Sequence, residues 1–158
     1  MSQIVFESSA RLLTLLHGLA GIALTGALTH GAVFIWKGNR TGAAGYYRRA
    51  EKFWPVIHIS LFASMLLGFI AYPTYRIRTR AEFLDAHYPL VVDLFDLKEN
   101  YASIVFVLVF GAWLLRHAPL KSQARQLLHD NFYYAATALT WLIAVLGLWV
   151  TLHRGIGT

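Results

Sequence analysis

Charged residues vanish from residues 12–36, LLTLLHGLAGIALTGALTHGAVFIW, and vanish again from 54–72, 101–115 and 132–152. A helix rises about 1.5 Å per residue and the hydrocarbon core of a bilayer is about 30 Å thick, so such runs predict membrane-spanning helices. The third run is the shortest. Pro55 falls in the first turn of the second span, where a missing N–H does no harm, and Pro73 is expected to close that span. Polar stretches separate the runs: a glycine-rich basic loop, KGNRTGAAGYYRRAEKF, at 37–53, a long section at 73–100, and a basic hairpin, HAPLKSQARQLLHDN, at 117–131. Within 73–100 the apolar Phe83, Leu84, Leu90, Val91, Leu94, Phe95 and Leu97 are interleaved with charges. That pattern predicts one or two short amphipathic helices lying at the interface. The expected fold is all-α: an integral membrane four-helix antiparallel bundle, one domain over 1–158, with an amphipathic interfacial segment between helices 2 and 3.

Composition agrees. Hydrophobic residues make up 57% of the chain and charged residues 14%, against the roughly 25% charged of a soluble domain. Cysteine is absent, which excludes disulfides, thiolate metal sites, iron–sulfur clusters and covalent haem attachment. A net charge of +6 in so apolar a chain points to lipid head groups and not to nucleic acid. Residues 1–11 lack a basic n-region and the apolar run that follows is too long for a signal sequence, so the first helix is expected to be retained. Four spans put both termini and the long loop on one side, A, and the two basic loops on the other, B. Lysine and arginine number eight on side B (Lys37, Arg40, Arg48, Arg49, Lys52, Arg116, Lys121, Arg125) and six on side A (Arg11, Arg76, Arg78, Arg80, Lys98, Arg154). The positive-inside rule therefore favours a cytoplasmic side B with both termini on the non-cytoplasmic side, and the expected location is a bacterial inner membrane.

Ionisable groups at membrane depth are costly and normally face a bundle interior. The first span carries His17 and His30, the second His58. Small residues recur at Ala23, Ala27 and Gly31, with Gly26 beside them, and at Ala136, Thr140 and Ala144 of the fourth span; these stripes are expected to face partner helices. His30 lies within a turn of Ala27 and is expected to point inward. His17 stands 13 residues earlier, about 140° around the helix, so the two cannot share a face. Counted from Trp36 and Trp54, His30 and His58 lie about 9 and 6 Å from one boundary. Two level histidines on adjacent antiparallel helices suit axial ligation of a b-type haem, with propionates met by Arg48, Arg49 and Arg116 and room for the macrocycle at Gly26, Gly31 and Gly68. The alternative is a buried histidine bonded to a hydroxyl such as Thr29, Ser60 or Ser64, without a cofactor. His17 has one candidate partner at similar depth, His153, for a second haem. His117 and His129 are expected at the interface and His87 in solvent.

Four spans with intramembrane histidines in LTHGAVFIW and FWPVIHISLF resemble small b-haem membrane proteins, namely cytochrome-b-type anchor subunits of respiratory dehydrogenases and the membrane protoporphyrinogen oxidase family. The resemblance covers the topology, His30 and His58. It implies electron transfer between a peripheral redox partner and quinone. Diheme relatives space two histidines 14 apart on one helix, whereas His17 and His30 are 13 apart.

The strings YPTYRIRTRAEFLD and LFDLKEN place Tyr72, Tyr75, Arg76 and Arg78 among acids and further tyrosines on side A. They read either as an interfacial belt of aromatics and paired charges or as a docking or quinone-head site. No hydrolase triad spacing, zincin motif, P-loop or dinucleotide fingerprint occurs, and no internal repeat marks a transporter. Two functions stand: a haem-b electron carrier or anchor in a redox complex, and a cofactor-free accessory subunit of a larger membrane assembly.

Overall fold

The computed structural model describes residues 6–118 and 122–153. The chain is an all-α membrane protein whose described residues form helices and no strand, four of the helices being long and apolar enough to cross a bilayer.

After a 3-10 turn at Glu7–Ser9, α1 runs over Ala10–Thr41. It stops at Gly42, whose φ of 68° is left-handed and whose N–H closes on the Gly38 carbonyl at 2.8 Å. Glycine takes that conformation without a Cβ penalty. A short amphipathic helix, α2 (Ala44–Glu51), folds back along the end of α1. Next comes α3 (Trp54–Thr74), with Pro55 in its first turn.

Pro73 does not end this span. The proline leaves the Phe69 carbonyl without its helical donor, and two residues later the chain widens into a π-helix, Tyr75–Leu84, before a last turn, α4 (Asp85–His87). Residues 89–100, expected as interfacial amphipathic structure separate from the third span, are the first three turns of α5 (Pro89–His117), which therefore starts twelve residues before Tyr101. Likewise α6 (Gln123–His153) begins nine residues before Phe132. The amphipathic section between the second and third spans is thus built as extensions of both. Lys121 and Arg154 of the charge asymmetry lie outside the described residues.

In the bundle α1 packs on α2, α3 and α6, and α5 packs on α6. Rings bridge α3 to α5: Phe62 meets Phe106 with centroids 5.8 Å apart, and His58 meets Trp113 at 5.7 Å. The buried seam of α1 is Leu24, Ala27, Leu28, Gly31 and Ile35, spaced as one helical face demands. It meets Trp54, Ile57 and Leu61 of α3 and Tyr133 and Ala136 of α6. Of the small-residue stripes, Ala27, Gly31, Ala136 and Thr140 are buried as expected, whereas Ala23 faces outward. Outward positions such as Leu15, Ile22, Phe69, Val107 and Leu148 are exposed and apolar, the surface a bilayer requires.

A second, smaller core sits on side A, where Tyr75, Leu84, Val91, Val92, Phe95 and Val150 pack together. Ion pairs fasten it: Arg80 to Asp96 at 2.8 Å and to Asp85 at 3.6 Å, and Arg78 to Glu7 at 2.7 Å and to Glu82 at 2.8 Å.

Candidate functional site: a buried histidine–aspartate centre

Five of the seven histidines satisfy themselves locally. His30, His58, His87, His117 and His153 each donate Nδ1–H to the carbonyl four residues back, those of Gly26, Trp54, Phe83, Trp113 and Trp149. Two do not: His17 bonds the Ser64 carbonyl of α3 and His129 the side chain of Asp130.

The structure does not bring His30 and His58 together. His30 is exposed, on the flank of α1 away from the seam, and stacks on Phe53 with centroids 5.8 Å apart. Phe53 precedes His58 by five residues, which places His58 about 7.5 Å further along α3 and about 140° around it. There His58 lies half-buried between Trp54 (5.4 Å) and Trp113 of α5. Counting from Trp36 and Trp54 puts the two histidines at equal depth, but α1 continues five residues beyond Trp36 and α2 intervenes, so these tryptophans are not level. The space expected for a macrocycle is also taken. A Cβ at Gly31 would run into the Tyr133 side chain, 2.7 Å from the carbon that bears its hydroxyl, and one at Gly68 would lie 3.2 Å from the His17 ring; of the three only Gly26, half-buried one turn before His30, is open.

The second expected pair is separated as well. His17 donates Nδ1–H to the Ser64 carbonyl of α3 at 2.8 Å, while His153 stacks edge-on against Tyr88 at 5.1 Å in the side-A head. Of the basic residues assigned to propionates, Arg116 is ion-paired with Glu51 through Nε at 2.6 Å, Arg49 lies over the Tyr46 ring at 5.7 Å, and Arg48 is exposed. The side-A set is dispersed: Tyr75 is buried and stacked on Phe95 at 4.0 Å, Arg78 is ion-paired, Arg76 is exposed, and Tyr72 is half-buried 6.5 Å from Tyr75.

His129, expected at the interface, is buried in the bundle. Because α6 starts at Gln123, His129 lies two turns inside the helix on the face continued by Tyr133, Ala136 and Thr140, all buried. Its Nδ1–H donates to Oδ1 of the equally buried Asp130 at 2.7 Å. The same carboxylate accepts from Gln126 at 2.7 Å and from Asn39 of α1 at 2.9 Å. Tyr47 of α2, outside the apolar spans, donates its hydroxyl to the Asn39 carbonyl oxygen. Burial, and then the Asp130 charge, push the Tyr47 phenol above its ordinary range.

One carboxylate holds three donors from α1 and α6, and α2 joins the network through Asn39; three donors are what makes a buried charge tolerable. The carboxylate places a hydrogen on Nδ1 of His129 and leaves Nε2 without a hydrogen-bond partner among the described residues. His129 lines a cavity of about 10 Å³ together with Tyr47, Glu51, Trp54, Arg116 and Tyr133 among others. Such a centre can accept a proton, or a hydrogen bond, at one defined atom. The sequence signal for it is the spacing 129, 133, 136, 140, which extends the seam of the fourth span backwards into the basic hairpin. No family model, characterised protein or solved structure matches this chain.

Proposed function

We propose that this chain is a cofactor-free accessory subunit of a larger membrane assembly, held in a bacterial inner membrane with both termini on the non-cytoplasmic side. The observation that carries this reading over a bis-histidine cytochrome is the register of α1 against α3. It offsets His30 from His58 along and around α3 and sets the His17 ring against Gly68, while Tyr133 of α6 occupies the space at Gly31. The side-A head, with its own apolar core and exposed Arg76 and Asp93, is the part that a peripheral subunit would meet. The excess of basic residues on side B supports the orientation.

A b-type haem is kept as a second reading by one feature. His58 is half-buried between two tryptophans, and its Nδ1–H is already bonded, leaving Nε2 free to act as a single ligand. Absorption spectra of the full chain, purified in mild detergent and titrated with haemin, separate the two. The accessory reading predicts no Soret band that depends on His30 or His58, together with a stoichiometric partner retained through purification. Split reduced α bands lost in both His30→Ala and His58→Ala would overturn it.

A further inference from the structure

The His129 centre contains two enclosed polar atoms with no hydrogen-bond partner among the described residues, Nε2 of His129 and the hydroxyl of Tyr133. They stand one turn apart on α6, their ring centroids separated by 6.2 Å, and both residues line the same cavity of about 10 Å³. A cavity of about that size is the least that holds a water molecule, and a buried water needs two to four polar partners. The wall offers them. Glu51 and Arg116 lie on it as an ion pair, and Tyr47 closes it towards side B. A metal cation is disfavoured there, since the Arg116 guanidinium shares the wall and the Asp130 carboxylate is already committed to His129, Asn39 and Gln126.

We propose that this cavity binds one water molecule, which accepts the hydroxyl hydrogen of Tyr133 and donates one hydrogen to Nε2 of His129. Its second hydrogen goes to the Glu51 carboxylate, so each hydrogen along the chain has an acceptor: Tyr133 O–H to water, water to Nε2 and to Glu51, Nδ1–H to Asp130. Tyr47 and Arg116 also line a wider opening of about 520 Å³ bounded by Ala44, Arg48 and Gln126. The water is thus the link between side B and the Nε2 atom of His129. A proton delivered along it would come to rest on Nε2, with Asp130 holding the imidazolium. The water site stands independently of the accessory-subunit reading.

Nuclear magnetic resonance of the full chain in nanodiscs, with nitrogen-labelled histidine, tests it. The expected result is a His129 with an unprotonated, hydrogen-bonded Nε2 and a cross-peak between its Hε1 and a long-lived water. Tyr133→Phe, which keeps the ring, should abolish that cross-peak and shift Nε2 towards the position of an unbonded nitrogen. Tyr134→Phe should leave both in place, because its hydroxyl meets Asn39 at 3.4 Å and does not line the cavity. A wild-type His129 carrying hydrogen on Nε2, no water cross-peak in the wild type, or a cross-peak that survives Tyr133→Phe would each overturn the proposal. The wild-type tautomer decides even if the variant fails to fold.

Discussion

Gly31→Ala is the sharpest perturbation of the bundle. The added methyl would overlap the Tyr133 hydroxyl oxygen and stand 2.7 Å from the carbon that bears it, where non-bonded carbon contacts need about 3.5 Å. Tyr133 cannot yield easily, since it is buried and its ring meets Trp54 edge-on at 5.4 Å. Overpacking of a well-filled core costs about 1–3 kcal/mol. With so large a shortfall we place this case near 3, and loss of the buried ring, worth about 3–5 kcal/mol, sets the ceiling. Replacing a helical glycine by alanine returns about 1 kcal/mol of propensity, leaving a net destabilisation of about 2 kcal/mol. Gly26→Ala is the control: nothing lies within 4 Å of its Cβ position, so only the propensity gain of about 1 kcal/mol remains. Loss of helical circular dichroism against the mole fraction of dodecyl sulfate in mixed micelles gives both values, and the two variants should differ by about 3 kcal/mol. Tyr133→Phe in the Gly31→Ala background should recover part of the loss by deleting the closest atom. Equal stability of Gly31→Ala and Gly26→Ala would refute the α1–α6 contact.

Three further outcomes are expected. Asn39→Ala removes a donor from the buried Asp130 and an acceptor from Tyr47, so it should cost about 2 kcal/mol in the same micelle assay, as hydrogen bonds to charged groups do; a neutral effect would mean the network does not form. Arg80→Lys loses the paired contacts to Asp96 at 2.8 and 3.2 Å, but the pair is partly solvated, so the cost should stay under about 1 kcal/mol and shrink with added salt; a larger, salt-insensitive loss would show the head to be more tightly sealed. Single cysteines placed at Ala44 and at Asp93, in a chain without native cysteine, should react with an impermeant thiol reagent from opposite faces of the membrane; reaction from one face would contradict the crossing of α3.

The four spans were legible because lipid imposes one rule on every position of an exposed helix, and residues such as Ile22, Phe69 and Leu148 obey it. The helix ends were not legible. Once a helix leaves the hydrocarbon it regains water on one side, so the opening turns of α5 mix Asp93, Asp96 and Lys98 with the buried Val91, Val92 and Phe95 and read as a separate amphipathic helix at the interface, not as the start of the span. Pro73 misled for a related reason: a proline stops a helix only when no alternative geometry relieves it, and here the π-helical turns that follow do. The histidines show what sequence depth alone misses. Counting from Trp36 and Trp54 ignored α2, which shifts the register of α1 against α3, whereas His129 was hidden by its charged neighbour Asp130, the residue that allows it to be buried.

The functional reading rests on that register, and the absence of native cysteine makes it directly measurable. In membranes, a short thiol-reactive cross-linker should join His30→Cys to Phe53→Cys and leave His30→Cys with His58→Cys unlinked. Efficient linkage of the second pair and not of the first would place the two histidines level and facing, and would contradict the offset between α1 and α3.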